Sequence, residues 1–506
     1  MIDARKFYIN GSWVKPSSTQ EFRIINPASE ETIGFTILGN TEDADVAVSA
    51  AKEAFTTFSL TSKKERLALL QKVLNLTKKR FDDLAWAMTQ EMGAPITMSK
   101  ESQADSGVGH LKWFIKSLED LTEREKLPNG DILVREPIGV CGLITPWNWP
   151  INQIALKVIP VLATGCTCVL KPSEHTPISA KIYAEIVHEA GYPDGVFNLI
   201  QGDGETIGRA LSSHKDVQMV SFTGSTRAGT DVSKRAADSV KRVTLELGGK
   251  SPNIVFSDCD LEKQVKASVA ECFLNSGQSC DAPTRLLVEK KCYERVLQIA
   301  KAAALSQKVG DPSETGNHIG PLFDKIQFDR VQSMIKVGID EGANLLAGGL
   351  GRPDGFNRGW YVKPTIFSEV TTDMRIANEE IFGPVLSIMS FEDEKEAIEI
   401  ANDTPYGLAA YLQTGDQKRA DDRGSTVHIC DLRRAGVDVN ITPGITAPGL
   451  GSIEIVARPQ VVASLLRAAG VANAVSANPG ATLGTATAIL PRGAVGSVLF
   501  AELGYV

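Results

Sequence analysis

Apolar side chains recur at helical spacing between residues 62 and 92. They fall on one face of a helix, as Leu67, Leu70, Leu74, Phe81, Leu84 and Met88. Ser62 and Glu65 form a capping-box pattern at its start, and Gly93 and Pro95 end it. We therefore predict one amphipathic helix over 62–92, whose apolar face packs into the core.

From about Ile138 the pattern changes to short apolar runs that alternate with helical stretches. The runs are GVCGLI, CTCVLK, GVFNLI and VQMVSF, and each ends in a turn with Gly or Pro. This alternation predicts βαβ units on a parallel sheet, with ligands at the carboxyl ends of the strands. A second α/β set follows RVTLELGGKSPNIVF, with a helix near 291–307 and a strand near 385–391.

Two segments depart from this alternation. Near the start, FYINGSW predicts a β-hairpin that turns at Asn10 and Gly11. At the other end, the stretch from Pro459 to Val506 is rich in Ala, Gly, Val and Thr and sustains neither periodicity. The last segment therefore differs in character from the rest of the chain.

The composition is that of a soluble globular protein with two or three domains. Of the 506 residues, 43% are hydrophobic and 23% are charged, and the net charge of −8 disfavours nucleic acid as a partner. The first residues lack an apolar signal-peptide region, and no apolar run is as long as a membrane span. The eight cysteines are scattered, and Cys166 and Cys168 lack a zinc or redox spacing. We expect a cytoplasmic protein with free thiols and no metal site.

Glycine-rich turns after the predicted strands are candidates for phosphate binding. The stretch GDGETIGRAL, which includes Gly204, is one residue longer than the dinucleotide fingerprint, so a plain strand-to-helix turn fits it equally well. FTGSTRAG places Gly224 and Ser225 at a helix start, where N–H groups bind anions, although an ordinary N-cap serine is the alternative. Lys171 and Glu174 can bond ribose hydroxyls or form a solvated loop.

Three residues are candidates for covalent chemistry. Cys280 lies in the polar stretch NSGQSC, which suits a nucleophile if its surroundings stabilise the thiolate. Asn148, together with the backbone N–H of Cys280, can stabilise the oxyanion that forms when sulfur attacks a carbonyl. Glu246 lies between an apolar run and a glycine pair, where partial burial suits a general base. Taken singly, the same residues also fit a buried thiol, a turn and a strand-end charge.

In combination, these segments resemble the NAD(P)-dependent aldehyde dehydrogenase superfamily. TPWNWP, KPSEHTP, FTGSTRAG, LELGGKSPNIV, NSGQSC, EEIFGPV and ANDTPYGLAA occur in that family's order, over about residues 5–420. The resemblance implies an enzyme that oxidises an aldehyde to a carboxylic acid through a cysteine thiohemiacetal and a thioester. A CoA-acylating dehydrogenase and a catalytically impaired family member that serves as a binding protein are the alternatives.

The resemblance also implies a role for individual residues. Cys280 would be the nucleophile, Glu246 the general base and Asn148 the oxyanion donor. The cofactor-binding residues would be Ile144, Trp147, Lys171, Glu174, Gly204, Gly224, Ser225, Leu247, Glu380 and Phe382. The substrate tunnel would be lined by Trp149, Gln153, Leu156 and Leu274, a mostly apolar set without an arginine. Glu174 favours NAD, because a carboxylate repels the 2′-phosphate of NADP, although NADP remains possible.

The implied fold is α/β, with a Rossmann-like NAD-binding domain at about 1–245 and an α/β catalytic domain carrying the thiol at about 246–440. A small β arm for oligomerisation would lie at about 120–137, and the implied assembly is a homodimer or homotetramer. The implied partners are a small-molecule aldehyde but neither nucleic acid nor membrane.

Two departures from the family pattern stand out. Asp281 follows the nucleophile, where its carboxylate would raise the thiol pKa by a modest amount. LRRAGVDVN at Leu432–Asn440 resembles a family strand, but the family loop similar to PFGGYKQSGNGRE is missing. We therefore expect the segment from about Asp422 to be replaced or out of frame, and residues 441–506 to stand in place of the usual oligomerisation strand.

Overall fold

A computed structural model describes residues 1–416 and, beyond them, the backbone of three short strands. The strands are β1 Ile2–Ala4, β2 Phe7–Ile9, β3 Ser12–Val14, β4 Gln20–Ile25, β5 Thr32–Leu38, β6 Arg124–Lys126, β7 Ile132–Val134, β8 Val140–Ile144, β9 Thr167–Lys171, β10 Phe197–Leu199, β11 Met219–Thr223, β12 Arg242–Glu246, β13 Pro252–Val255, β14 Arg285–Glu289, β15 Asn344–Ala347, β16 Thr365–Ser368, β17 Val385–Phe391, β18 Tyr411–Gln413, β19 Val437–Ile441, β20 Ile453–Ala457 and β21 Ile489–Leu490.

Helices cover the faces of the sheets. They are α1 Thr41–Phe58, α2 Lys63–Lys79, α3 Phe81–Met92, α4 Ile96–Met98, α5 Asp105–Asp120, α6 Pro150–Ala163, α7 Pro177–Glu189, α8 Arg209–Ser213, α9 Thr226–Ala237, α10 Leu261–Phe273, α11 Tyr293–Ser306, α12 Lys325–Asp340, α13 Arg375–Asn378 and α14 Glu394–Asn402. Short π-helices span Ser99–Ala104 and Gly204–Gly208, and short 3₁₀-helices span Leu274–Gly277 and Lys290–Cys292.

The helix predicted over 62–92 is two helices, so this prediction is wrong in its length. The chain leaves helical geometry at Arg80, where φ is −96° and ψ is 16°. Arg80 ends α2 and begins α3, and a single bend of this kind leaves the apolar spacing almost unchanged. The predicted start is confirmed, since the Ser62 hydroxyl accepts a hydrogen bond from the N–H of Glu65 at 3.3 Å. Gly93 ends α3 with a φ of 79°.

The first large sheet has seven strands in the order β12-β11-β8-β9-β10-β2-β3. The five strands from β8 to β12 are parallel to one another. β8 is the middle one, with β9 and β10 on one side and β11 and β12 on the other. This is the Rossmann strand order, in which ligands bind outside the carboxyl ends of the two strands at the reversal. The predicted βαβ units are confirmed. The predicted hairpin is confirmed as well, because β2 and β3 pair through Asn10 and Gly11, at φ values of 50° and 76°.

The second large sheet has six strands in the order β15-β16-β17-β14-β13-β18, with β15 alone antiparallel to its neighbour. The predicted elements near 291–307 and 385–391 are confirmed as α11 and β17. Each sheet has its own apolar core on both faces. The α/β fold class with two such units is therefore confirmed, while the boundary predicted at residue 246 stays a prediction.

A third element is the two-stranded antiparallel sheet of β6 and β7, inside the segment predicted as an oligomerisation arm. Ile132 and Val134 are exposed on it, at 58% and 43%. Its role in assembly stays a prediction. The expectations about the segment from Asp422 lie outside the described residues, apart from the backbones of β19, β20 and β21, which pair with one another. Among the described helices, none is long and apolar enough to cross a membrane.

Candidate active site

The approach to Cys280 is a left-handed turn. Asn275, Ser276 and Gly277 have consecutive φ values of 54°, 56° and 73°. For residues with a Cβ this conformation costs about 1–2 kcal/mol each, so other contacts must hold it. One of these is the hydrogen bond from the Ser276 hydroxyl to the carbonyl oxygen of Gly320, at 2.8 Å. Gly277 is required, because a Cβ there would overlap the main chain at Gly383. The fold thus fixes the path of the chain just before the sulfur.

Asn148 comes from the first sheet and meets this turn. It lies between β8 and α6, is 4% exposed, and its side-chain Nδ2 donates to the carbonyl oxygen of Gln278 at 3.0 Å. The next residue adds a second bond, from Nε1 of Trp149 to the hydroxyl of Ser279 at 2.8 Å. The structure therefore brings the predicted oxyanion donor against the loop of the predicted nucleophile. Asn148 and Gln278 are 130 positions apart in the sequence.

The electrostatic environment of Cys280 favours the neutral thiol. The side chain is half-buried, and burial raises the pKa of the Cys280 thiol well above its ordinary value. The charges of Asp281, Glu246 and Glu380 raise it further, in that order. The neighbouring charges therefore oppose the thiolate that a nucleophilic Cys280 requires, and the role of Cys280 as nucleophile stays a prediction. Asp281 acts in the expected direction, and its charge has a larger effect than that of either glutamate.

Glu380 is held against the glycine pair that follows Glu246. Its Oε1 accepts a hydrogen bond from the N–H of Gly249 at 3.1 Å. A Cβ at Gly248 would overlap the Glu380 carboxylate, and one at Gly249 would overlap the carbonyl oxygen of Cys280. Burial raises the pKa of Glu380. These contacts bring the segments ELGGK, NSGQSC and EEIFGPV to one place.

Several of the predicted cofactor residues lie along the carboxyl edge of the first sheet. Ile144 ends β8, and Lys171 ends the neighbouring β9 with its Nζ 3.4 Å from a carboxylate oxygen of Glu174. On the other side of β8, Gly224 follows β11, and Ser225 caps α9 by accepting from the N–H of Ala228 at 3.3 Å. The first residues of α9 are exposed next to β11, as an anion site requires.

Several features of this edge fit a dinucleotide. The hydroxyls of Thr145 and Thr223, at the ends of β8 and β11, are buried without a hydrogen-bond partner. Such groups are costly unless a ligand or water satisfies them. A Cβ at Gly204 would meet nothing within 4 Å, so open space lies beside the π-helix it begins. Lys171 and Glu174 supply a donor and an acceptor for ribose hydroxyls, and Ser225 and the α9 amides suit a pyrophosphate.

An aromatic group lies between the cofactor edge and Cys280. Trp147 stacks on Phe323 at a centroid distance of 3.5 Å and meets Phe382 edge-on at 5.5 Å. Phe382 has a φ of 61°, and its carbonyl oxygen accepts from Nε2 of Gln327 at 2.8 Å. The ring of Phe323 also meets the ring of His175, the neighbour of Glu174, edge-on at a centroid distance of 4.9 Å. Sequence reasoning named Trp147 and Phe382 but missed Phe323, which lies in no motif we singled out.

Comparison with known proteins agrees with this geometry. The model of the aldehyde dehydrogenase family matches residues 13–440. The chain belongs to the aldehyde dehydrogenase family. A curated relative, 3-succinoylsemialdehyde-pyridine dehydrogenase of a Pseudomonas species, is 52% identical over 421 residues, which are 83% of this chain and 88% of the relative.

Solved aldehyde dehydrogenases share the fold. An aldehyde dehydrogenase from Bartonella henselae is 45% identical, with a TM-score of 0.86 over 98% of both chains. A mutant of aldehyde dehydrogenase C from Pseudomonas syringae, in complex with NAD+ and octanal, is 46% identical, with a TM-score of 0.82 over 83% of this chain and 86% of that one. The resemblance stated from the motifs is confirmed.

The predicted tunnel residues of this aldehyde dehydrogenase occupy two neighbouring elements. Trp149, Gln153 and Leu156 lie at the start of α6 with spacings of four and three residues, which place them along one side of the helix. Leu274 begins the turn that leads to Cys280. Leu156 also packs against the core of the first sheet. Whether these residues contact the aldehyde stays a prediction.

Sequence reasoning missed further polar residues around Cys280. Lys250 follows the glycine pair, is 2% exposed, and its Nζ has no hydrogen-bond partner. Burial, together with the charge of Arg285, lowers the pKa of Lys250 to about 7. Gln278 accepts from the N–H of Phe323 through Oε1 at 3.0 Å, which ties the nucleophile loop to the aromatic group. A signal existed for Gln278, since it lies inside NSGQSC, but none distinguishes Lys250 from a surface lysine.

Proposed function

We propose that this aldehyde dehydrogenase uses NAD to oxidise an apolar aldehyde to the carboxylic acid. The observation that carries the proposal is the hydrogen bond from Asn148 to Gln278, at 3.0 Å, which joins the oxyanion donor to the loop of Cys280. Both groups lie beside the carboxyl edge of a Rossmann sheet with unsatisfied hydroxyls at Thr145 and Thr223. One pocket can therefore hold an aldehyde and a dinucleotide together.

In the first half-reaction the sulfur of Cys280 attacks the aldehyde carbon, after the thiol loses its proton. Solvent water is the proposed proton acceptor in this step, so the carboxylate of Glu246 stays ionised for the second half-reaction. The carbonyl oxygen becomes an oxyanion, to which Nδ2 of Asn148 and the main-chain N–H of Cys280 donate. A primary amide nitrogen has two N–H groups, so the bond to Gln278 leaves one for this purpose. Bound NAD would supply the acceptor for the hydride of the tetrahedral carbon.

The chain would orient the cofactor through groups along the sheet edge. Lys171 and Glu174 would bond the hydroxyls of the adenosine ribose, and Ser225 with the first amides of α9 the pyrophosphate. Glu380, buried against Gly249, would bond the second ribose. Support for NAD comes from solved relatives that are NAD+ complexes. Among them are aldehyde dehydrogenase C from Pseudomonas syringae, with NAD+ and octanal, and betaine aldehyde dehydrogenase from Staphylococcus aureus, with NAD+.

In the second half-reaction water replaces the sulfur on the acyl carbon. Glu246 accepts a proton from this water, the acid leaves, and Cys280 returns to its thiol or thiolate form. The balance is aldehyde, NAD+ and water giving acid, NADH and a proton. A general base of this kind contributes about 10²–10⁴ in rate. A carboxylate at Glu246 favours water over CoA as acyl acceptor.

The substrate class follows from the tunnel. Trp149, Leu156 and Leu274 are apolar, and Gln153 offers only a neutral amide, so we expect aliphatic or aromatic aldehydes to bind better than short acidic ones. Two relatives support this class, because one is complexed with octanal and another is 3-succinoylsemialdehyde-pyridine dehydrogenase. We also propose a cytoplasmic homodimer or homotetramer, joined in part through the β6–β7 hairpin.

The test measures NADH formation by the full chain with octanal, benzaldehyde and succinic semialdehyde. The proposal expects kcat/KM for octanal and benzaldehyde to exceed that for succinic semialdehyde by about 10-fold or more. Products are assayed with and without CoA. Octanoic acid as the product in both cases supports the proposal. Octanoyl-CoA with little free acid, or no NADH with any aldehyde, contradicts it.

A further inference from the structure

A buried amide network surrounds the main-chain carbonyl of Asn148. This oxygen accepts from Nε2 of Gln103 at 3.0 Å and from Nδ2 of Asn275 at 2.9 Å. Asn148 precedes the first turn of α6, so its carbonyl does not take part in the helix, where Gln153 donates to Trp149 instead. The two amide donors thus fix the peptide plane from which the Asn148 side chain projects.

The orientation of both amides is costly. Oε1 of Gln103 and Oδ1 of Asn275 are buried without hydrogen-bond partners. Each unpaired acceptor of this kind costs about 1–3 kcal/mol. Flipping either amide would change this arrangement, but it would turn the amide oxygen towards the Asn148 carbonyl. The network therefore keeps its donors on Asn148 at the expense of its own acceptors.

Gln103 is held in place by an irregular helix. It is fully buried, at 0% exposure, on the π-helix Ser99–Ala104 that joins α4 to α5. π-Helical turns often lie at functional sites, because the extra residue redirects side chains. Here the turn places Nε2 between the Asn148 carbonyl and the sulfur of Met92, at 3.0 and 3.4 Å.

We propose that Gln103 is a positioning residue that aims the side-chain amide of Asn148 at the reacting carbonyl. Gln103 holds the Asn148 peptide from the helical layer, and Asn275 holds it from the nucleophile loop. The Asn148 side chain donates to the carbonyl oxygen of Gln278 at 3.0 Å. The same oxygen also accepts from Nδ2 of Asn275 at 3.2 Å. The oxyanion donor is therefore fixed at both its main-chain and side-chain ends. This inference rests on the role proposed for Asn148.

The test is a double-mutant cycle on NADH formation in the first turnover with octanal. Gln103→Leu removes the donor and should slow this step about 10-fold, with KM for NAD unchanged within about two-fold. In the Asn148→Ala background the same substitution should have little further effect, because the group it positions is gone. Ser99→Ala is the control, since it removes buried hydrogen bonds of 3.0 and 3.2 Å from the same π-helix without touching Asn148.

A second variant keeps the test decisive if Gln103→Leu does not fold. Gln103→Glu has nearly the same shape but presents a carboxylate oxygen to the Asn148 carbonyl. Its rate relative to the parent should recover as pH falls, because a protonated carboxyl can donate again. Equal losses from Gln103→Leu in both backgrounds, or a pH-independent loss from Gln103→Glu, would overturn the inference. An inactive parent would instead contradict the proposed function.

Discussion

The side-chain amide of Asn148 and the carbonyl of Gln278 form a 3.0 Å hydrogen bond between the two halves of the protein. It ties the loop after β8, in the Rossmann sheet, to the turn that presents Cys280. One amide N–H is used by this bond, and the other is available to an oxyanion.

Asn148→Ala should lower kcat for octanal by about 10²–10³, the usual effect of losing one oxyanion donor. The KM for NAD should change little, because Asn148 is not among the residues proposed to bond the cofactor. Steady-state kinetics checks both values. Asn75→Ala, on the exposed face of α2, is the matched control and should keep parental kinetics. A kcat within three-fold of the parent would remove Asn148 from the mechanism.

Asp281→Asn should make Cys280 more reactive in the absence of NAD. The carboxylate of Asp281 raises the pKa of the Cys280 thiol, so removing its charge lowers that pKa and increases the thiolate fraction at a given pH. The pH profile of alkylation by iodoacetamide, followed by peptide mass at Cys280, should move to lower pH. Asp340→Asn, on the exposed end of α12, should leave the profile in place. A profile for Asp281→Asn that matches the parent contradicts the assignment.

Gly249→Ala should impair both stability and activity. The new Cβ would overlap the carbonyl oxygen of Cys280, which is main chain and can move only with the whole loop. We expect kcat to fall by more than about 10-fold, since small misplacements of reacting groups have large effects. Gly109→Ala is the control, because nothing lies within 4 Å of its Cβ position in α5. It should stabilise the protein by about 0.5–1 kcal/mol in thermal unfolding.

Glu91 should make the free energy of unfolding depend on pH. Burial raises the pKa of Glu91 to about 8, although its carboxyl accepts hydrogen bonds from the N–H groups of Ile178 and Ser179 at 2.7 and 3.0 Å. The folded state then binds a proton that the unfolded state releases. Stability is therefore greatest below the ordinary pKa of a glutamate and declines as pH rises towards 8.

Replacing Glu91 by Gln should remove this decline, which is on the order of 1–3 kcal/mol between about pH 6 and 8. Urea unfolding at the two pH values measures it. Glu294→Gln, on the exposed side of α11, should behave as the parent. If the parent and Glu91→Gln respond equally to pH, the carboxyl of Glu91 does not titrate in this range.

The sequence pattern predicted the parallel βαβ units and the motifs at their turns, for a physical reason. Buried parallel strands such as CTCVLK are continuous apolar runs, and turns such as FTGSTRAG follow them directly, so the site falls at a sheet edge that the pattern locates. The bend at Arg80 escaped prediction, because one non-helical residue hardly changes the apolar spacing. The environment of Cys280 escaped it too, because burial and the charges of Glu246 and Glu380 arise only on folding. The same holds for Gln103 and Phe323, which reach the site from distant segments.

The central claim is that Cys280 carries the acyl group between oxidation and hydrolysis. Its most direct test is rapid-quench peptide mass spectrometry of the Glu246→Gln variant mixed with octanal and NAD, since this variant should oxidise the aldehyde but hydrolyse the thioester slowly. The account predicts an octanoyl group on the peptide that contains Cys280, formed together with a burst of NADH. An unmodified Cys280 in a sample that has produced that NADH would contradict it.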